Sequence, residues 1–165
     1  MLLNERLRLL GYKKKTIRAN LIAFQHDFKI SPKSTLHRLT IPRLKELTSG
    51  DIQLNLLART IYSESRGEPY HGMVAVGAVV LNRLKSPEFP TSLVEVITEP
   101  LAFTVISNGQ FWLKPQQRAF RAAREALKGK DPSLGSLYFF NPDKATSTWV
   151  KRLRIKLRIG NHVFA

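Results

Sequence analysis

Glu64 is the side chain of this sequence on which a reaction can be built. Leu57, Ile61 and Glu64 follow one another at spacings of four and three, so in a helix they share one face. Gly67 and Pro69 then stop that helix, and Gly72 opens the next. A carboxyl held at a helix end against apolar neighbours has its pKa raised by desolvation, as a general acid near neutral pH requires. The same spacing also fits a helix whose last turn carries a solvated charge.

Other chemistries have less to work with. The histidines are His26, His37, His71 and His162, and no pair has HxH or HExxH spacing, so no metal site is expected. There is no Cys and no GxSxG, which leaves thiol and serine nucleophiles without support. Phosphate-loop and dinucleotide motifs are absent, and no cofactor is implied. Carbohydrate cleavage fits better, because it needs a carboxylic acid together with aromatic and amide groups along a groove. Tyr62, Tyr70, Phe103, Trp112, Tyr138, Trp149 and Asn141 could line such a groove or could equally be core.

The chain has 165 residues, 43% of them hydrophobic, enough for one core with a small appendage. Its 27 Lys and Arg against 12 Asp and Glu give a net charge of +15 and point to a polyanionic partner: nucleic acid, an anionic lipid surface or an anionic wall polymer. The basic run Lys13-Lys14-Lys15 lacks the interleaved aromatics of a nucleic-acid-binding motif, so nucleic acid is not the expected partner. No apolar run is long enough for a membrane span, and charge interrupts the N-terminus too early for a signal peptide.

These residues need elements to position them. Leu3, Leu7 and Leu10 predict a short helix ended by Gly11, and Ile17, Leu21, Phe24 and Phe28 a second. Pro32 and Ser34 mark a turn, and Thr40 is placed as the N-cap of a third helix running to Leu47. This basic three-helix unit carries +8 (11 Lys and Arg, 3 Asp and Glu, to Gly50). Asp51 caps the helix bearing Glu64, and the next helix, about Gly72 to Leu84, is apolar nearly all round and therefore buried. Ser92 to Thr98 reads as a short helix, Phe103 to Ile106 as a strand before the Asn108-Gly109 turn, and Pro115 to Lys128 as an alanine-rich helix. Leu137 to Phe140 is a strand. From Leu153 to Ile159, strict alternation with Arg152, Arg154, Lys156 and Arg158 predicts a half-buried strand with a basic outer face, and His162 to Phe164 follows the Gly160-Asn161 turn. The class is α+β, with residues 1–49 as one small unit and 50–165 as the larger one.

Two resemblances attach to these units. Leu9-Leu10-Gly11-Tyr12, Thr16-Ile17-Arg18 and Thr40 to Leu47 resemble a peptidoglycan-binding helical module, without its usual Asp-Gly and Gly-Pro-x-Thr turns. The second is more extensive. Ala58 to Tyr70, Gly72 to Arg83, Pro100 to Thr104, Tyr138 to Pro142 and Ile159 to Phe164 resemble, in order, the cell wall hydrolase family of bacterial spore cortex-lytic enzymes (SleB/CwlJ type).

That resemblance implies a lysozyme-like α+β fold, cleavage of peptidoglycan glycan strands during spore germination, and one catalytic glutamate matching Glu64. Within its blocks Glu68, Phe103, Thr104, Tyr138, Asn141 and His162 are the expected substrate-binding residues. A lytic transglycosylase needs Glu64 alone, whereas a hydrolytic muramidase needs a second carboxylate, for which Glu68, Glu99 and Glu125 are candidates. An amidase or a non-catalytic wall-binding protein are the other readings. The implied location is the cell wall or spore cortex, and a monomer is expected. A chain starting near Ser49 is expected to fold, to cleave soluble glycan and to lose affinity for intact sacculi; the alternative is that Leu21, Phe24 and Phe28 pack against the larger unit as part of one core.

Overall fold

The computed structural model describes residues 1–30, 37–100 and 102–165. The Pro32–Ser34 turn lies outside the described residues. The first three helices are α1 (Leu3–Leu9), α2 (Ile17–Asp27) and α3 (Thr40–Leu47), followed by α4 (Ile52–Ser65) and α5 (Tyr70–Lys85). Then come α6 (Leu93–Thr98), the single turn α7 (Thr104–Ser107), a 3-10 turn at Gln110–Trp112 and α8 (Gln117–Leu127). The strands β1 (Phe139–Phe140), β2 (Leu157–Ile159) and β3 (His162–Phe164) form an antiparallel sheet in the order β1-β3-β2.

The centre of the molecule is the packing of α4, α5 and α8. Helix α5 is buried from Gly72 to Val80, as its uninterrupted apolar sequence requires. Helix α8 meets it through Ala119, Ala122, Ala123 and Ala126, whose small side chains let the axes approach closely. Asp51 caps α4, its carboxylate accepting the Leu54 N–H at 3.0 Å.

Three local expectations need correction. Phe103 to Ile106 is not a strand: Phe103 is the N-cap of α7, and adjacent Val105 and Ile106 are both buried, which a strand's alternation would prevent. Thr40 is the first residue of α3 rather than its cap. Leu39 holds the cap position, and the Thr40 hydroxyl instead accepts from Gln25 Nε2 at 2.7 Å, tying α2 to α3. The alternating stretch forms ladder only over Leu157–Ile159, because its partner β3 is three residues long, and Val150–Arg152 is a 3-10 turn. Ile155 is accordingly exposed.

The first three helices lie against the rest of the chain. Phe28 packs its ring 5.5 Å from Phe111 and 5.6 Å from Trp112, centre to centre. The Arg43 guanidinium sits 4.4 Å over the Trp112 ring, and buried Arg59 of α4 pairs with Glu46 of α3.

Candidate active site

The last two turns of α4 are rich in hydroxyls, and they are tied down locally. Thr60 Oγ1 donates to the Leu56 carbonyl at 3.0 Å, Ser63 Oγ to Arg59 at 2.7 Å and Ser65 Oγ to Ile61 at 2.6 Å. Each buried hydroxyl is satisfied by the helix itself, so none stands ready as a nucleophile. Glu64 between them is directed into a cleft of about 520 Å³. Its Oε1 is sealed from solvent and has no hydrogen-bond partner among the described residues. Burial pushes the Glu64 pKa up to about 7; the Val105 backbone N–H and the Arg83 charge pull the other way and do not cancel it. A substantial fraction of the carboxyl therefore keeps its proton near neutral pH, which general acid catalysis requires.

Opposite Glu64 the cleft is lined by α7 and by the loops around the sheet. Thr104 and Val105 come from α7, Asn141 and Lys144 from the segment after β1, Asn161 from the β2–β3 turn and His162 from the start of β3. Asn141 Oδ1 accepts the Asp143 N–H at 2.9 Å, which fixes the side chain by an Asx turn. His162 is buried, and its Nδ1 has no partner among the described residues. Burial lowers the His162 pKa, Glu68 raises it and Lys144 lowers it again, with the net direction downward. The ring is thus neutral at neutral pH.

Glu68 lines the same cleft but is already engaged. Its Oε2 accepts the Asn161 N–H at 2.9 Å and its Oε1 accepts Asn161 Nδ2 at 3.1 Å. Gly160, at φ 61°, lies directly beneath this clamp, and a Cβ there would collide with Glu68 Oε2 and come within 2.6 Å of Pro69 Cδ. Glu68 thereby fixes the hairpin that carries His162. Removing the clamp in Glu68→Ala should cost about 1 kcal/mol, since the bonds are solvent-exposed. Urea unfolding reads this, and an unchanged midpoint would show that the clamp carries no stability.

Of the residues expected at the site, the structure brings Glu64, Glu68, Thr104, Asn141 and His162 to one cleft. Phe103 and Tyr138 are not on it. Phe103 is buried behind it, 6.2 Å from Phe139, and Tyr138 lines a neighbouring hollow that shares Lys144 with the cleft. Val105, Asn108, Lys144 and Asn161 line the cleft without having been singled out. For Asn161 the signal was its turn beside Gly160. Among the described residues, no three His, Asp or Glu side chains gather to hold a metal ion. Nor is any helix there long and apolar enough to cross a membrane.

A short antiparallel sheet set against a buried helix pair, with one desolvated glutamate at the mouth between them, defines the class. The chain belongs to the cell wall hydrolase family, whose profile matches residues 67–165. Among curated proteins it is 54% identical over 115 residues to a spore cortex-lytic enzyme of Halalkalibacterium halodurans, covering 69% of this chain and 34% of that protein. It is 32% identical over 101 residues to the cell wall hydrolase CwlJ of Bacillus subtilis, covering 58% of this chain and 70% of that one. The chain spans 34–44% of the length of the cortex-lytic relatives it matches. Its fold is that of the catalytic domain of the germination-specific lytic transglycosylase SleB from Bacillus anthracis (TM-score 0.65, 46% identity, 68% of this chain and 92% of that one). The Bacillus cereus SleB catalytic domain agrees closely (TM-score 0.64, 47% identity, 68% and 88%). Glu64 lies three residues before the start of the family match.

Proposed function

We propose that the chain cleaves peptidoglycan glycan strands between N-acetylmuramic acid and N-acetylglucosamine as a lytic transglycosylase, with Glu64 as acid and then base. The observation that carries this reading is the Glu64 carboxyl facing a polar cleft, its Oε1 sealed from solvent and without a partner among the described residues. Glu64 protonates the leaving glycosidic oxygen. The resulting carboxylate then takes the proton of the muramic C6 hydroxyl as that oxygen closes on C1, giving a 1,6-anhydro ring and restoring the acid. Asn141, Thr104 and neutral His162 are proposed to position the sugar and to stabilise charge developing at the oxocarbenium-like centre.

Among the described residues, Glu68 is the other carboxylate that lines the cleft, and its bonds to Asn161 favour one acid over two. Glu68 is held by Asn161, Glu99 lines the adjacent hollow, and Glu125 is bonded to Tyr70 and Lys130 on the α5–α8 side. The names of the relatives, spore cortex-lytic enzyme and cell wall hydrolase, support spore cortex peptidoglycan as the substrate. Mass analysis of digested glycan tests the reading. Anhydro ends support it; reducing ends would shift the assignment to a hydrolytic muramidase, freed peptide stems to an amidase, and no cleavage to a wall-binding protein.

The excess charge of +15 is proposed to hold the protein on an anionic wall polymer. Sedimentation with purified peptidoglycan should therefore weaken as salt is raised past physiological strength, where the screening length falls below about 8 Å. Retention unchanged in high salt would show that charge does not hold it.

A further inference from the structure

Arg83 lies in the last turn of α5 and is only 6% exposed. Its Nε donates to the Leu137 carbonyl at 2.7 Å. Its guanidinium carbon is held among three rings, 5.0 Å from the centre of Phe89, 5.1 Å from Phe103 and 5.3 Å from Tyr138. These contacts fix the position of the charge, and one of them leads to Glu64. Phe103 is the N-cap of α7, and the Val105 N–H of that turn is bonded to the Glu64 carboxyl. Arg83 thus holds the start of the turn that brings a donor to the acid.

The charge itself also reaches Glu64. Glu99, Tyr138 and Glu64 act on the guanidinium through space, and among the described residues no carboxylate closes an ion pair with it. Other titratable groups face Glu64 from around the cleft: Arg66 and Glu68 after α4, Lys144 from the segment after β1 and His162 from β3, while α7 brings no charge. Arg66 and Lys144 are exposed, so water screens them. Glu68 is committed to Asn161, and the His162 ring is neutral at neutral pH. Of the other helices packed on α4, α3 pairs its Glu46 with Arg59, and α6 bonds its Glu95 to Ser92. Helix α8 turns Arg124 toward the start of α4 and bonds its Glu125 to Tyr70 and Lys130. That leaves Arg83 as a fixed positive charge in a low-dielectric surrounding, where a charge is felt most. A desolvated acid needs such support. Once its proton is on the leaving oxygen, Glu64 is a carboxylate that burial disfavours, and a cation and a donor offset that cost.

We infer that Arg83 is a positioning residue for the catalytic step: it pins the Phe103 cap so that α7 offers the Val105 N–H to Glu64, and it supplies the positive charge that favours the carboxylate left when the acid has given up its proton. The inference rests on Glu64 being the acid of the reading above. It deepens that reading by naming what lets a buried acid release its proton and then act as base. The two effects have the same sign. Losing the donor and losing the charge each disfavour the carboxylate, so removing Arg83 raises the pH at which Glu64 titrates above about 7.

The test is Arg83→Met, which keeps an unbranched side chain and removes the charge. The Glu64 side-chain carboxyl carbon resonance, assigned by its absence from Glu64→Gln, should titrate on the order of one pH unit higher than in the parent. The decline of kcat/KM with rising pH should move up by the same amount. An Arg83 that only held the fold would lower activity at every pH and leave both midpoints in place. Because Arg83 is buried and Arg83→Met could fail to fold, the parent protein is also followed through the Arg83 Nε–H resonance, recognised by its contacts with the three rings. That resonance should shift with the midpoint of Glu64, and the shift should vanish in Glu64→Gln. Unmoved midpoints in a folded Arg83→Met protein would overturn the inference, as would an Arg83 resonance that does not respond to Glu64. The resonance titrations need no substrate, so they stand apart from the glycan reading. Cleavage lost in Glu64→Gln while the two resonances titrate independently would sink the role of Arg83 and leave Glu64 as the acid. Coupled resonances with cleavage retained in Glu64→Gln would sink the catalytic reading instead.

Discussion

Glu64→Gln is expected to lose at least about 100-fold in glycan cleavage, the lower range of what general acid catalysis supplies. It should also make the fold more stable at neutral pH. Burial lifts the carboxyl from an ordinary 4.5 to about 7. Between those values the folded protein keeps a proton that the unfolded chain has released, so stability falls as pH rises from about 4.5 to about 7 and stays lowered above it. A difference of about 2.5 units corresponds to roughly 3 kcal/mol, which glutamine, with no proton to lose, does not forfeit. The variant should therefore melt several degrees above the parent at pH 8 and level with it at pH 4. For the same reason the parent's kcat/KM should decline as pH rises through about 7. Near-parent cleavage by Glu64→Gln would remove Glu64 from the chemistry. A melting difference independent of pH would show that the carboxyl does not titrate in a buried state.

Phe28→Ala is the second large effect expected. Phe28 is 1% exposed and joins Phe24 on its own side to Phe111 and Trp112 on the other. Truncating such a ring costs about 3–5 kcal/mol, a large part of the 5–15 kcal/mol that holds a typical domain folded. The same contacts bear on the division at residues 49 and 50. Without the first three helices, Phe111 and Trp112 lose their cover, and buried Arg59 loses Glu46. We therefore propose that a chain starting at Ser49 aggregates or melts far below the whole protein, as the one-core alternative implies. A soluble Ser49–Ala165 fragment with the parent's melting temperature, or a Phe28→Ala protein unchanged in urea, would restore two independent units.

The helices and their faces were readable because their cause is local. The Asp51 cap, the apolar α5 and the alanine face of α8 are each written within one stretch of chain. The place of Glu64 was legible for the same reason, since its spacing from Ile61 and the stop at Gly67 put it in the last turn of α4. What could not be read was decided across the chain. Phe103 carries the aromatic character of a groove residue, but its ring goes into the core because α7 turns helical under it. Tyr138 went to the neighbouring hollow because its partners Phe89 and Trp149 are there. Glu68 was expected to meet substrate, yet its two oxygens meet Asn161, 93 positions away, a pairing no local pattern encodes. Nothing local marked Arg83, whose guanidinium is held by three rings from three other segments.

The strand order β1-β3-β2 has a consequence for the route by which the protein reaches its folded state. The central strand, β3, is the last of the three in the chain, so neither β1 nor β2 has its neighbour until residues 162–164 arrive. Helices α4 and α5 are local and can form early, whereas the wall of the cleft that faces Glu64 depends on contacts of long sequence separation, which are slow to close. During synthesis Glu64 is thus on its helix well before the opposite wall of the cleft exists, and the nascent chain carries that carboxyl without the groove that later encloses it.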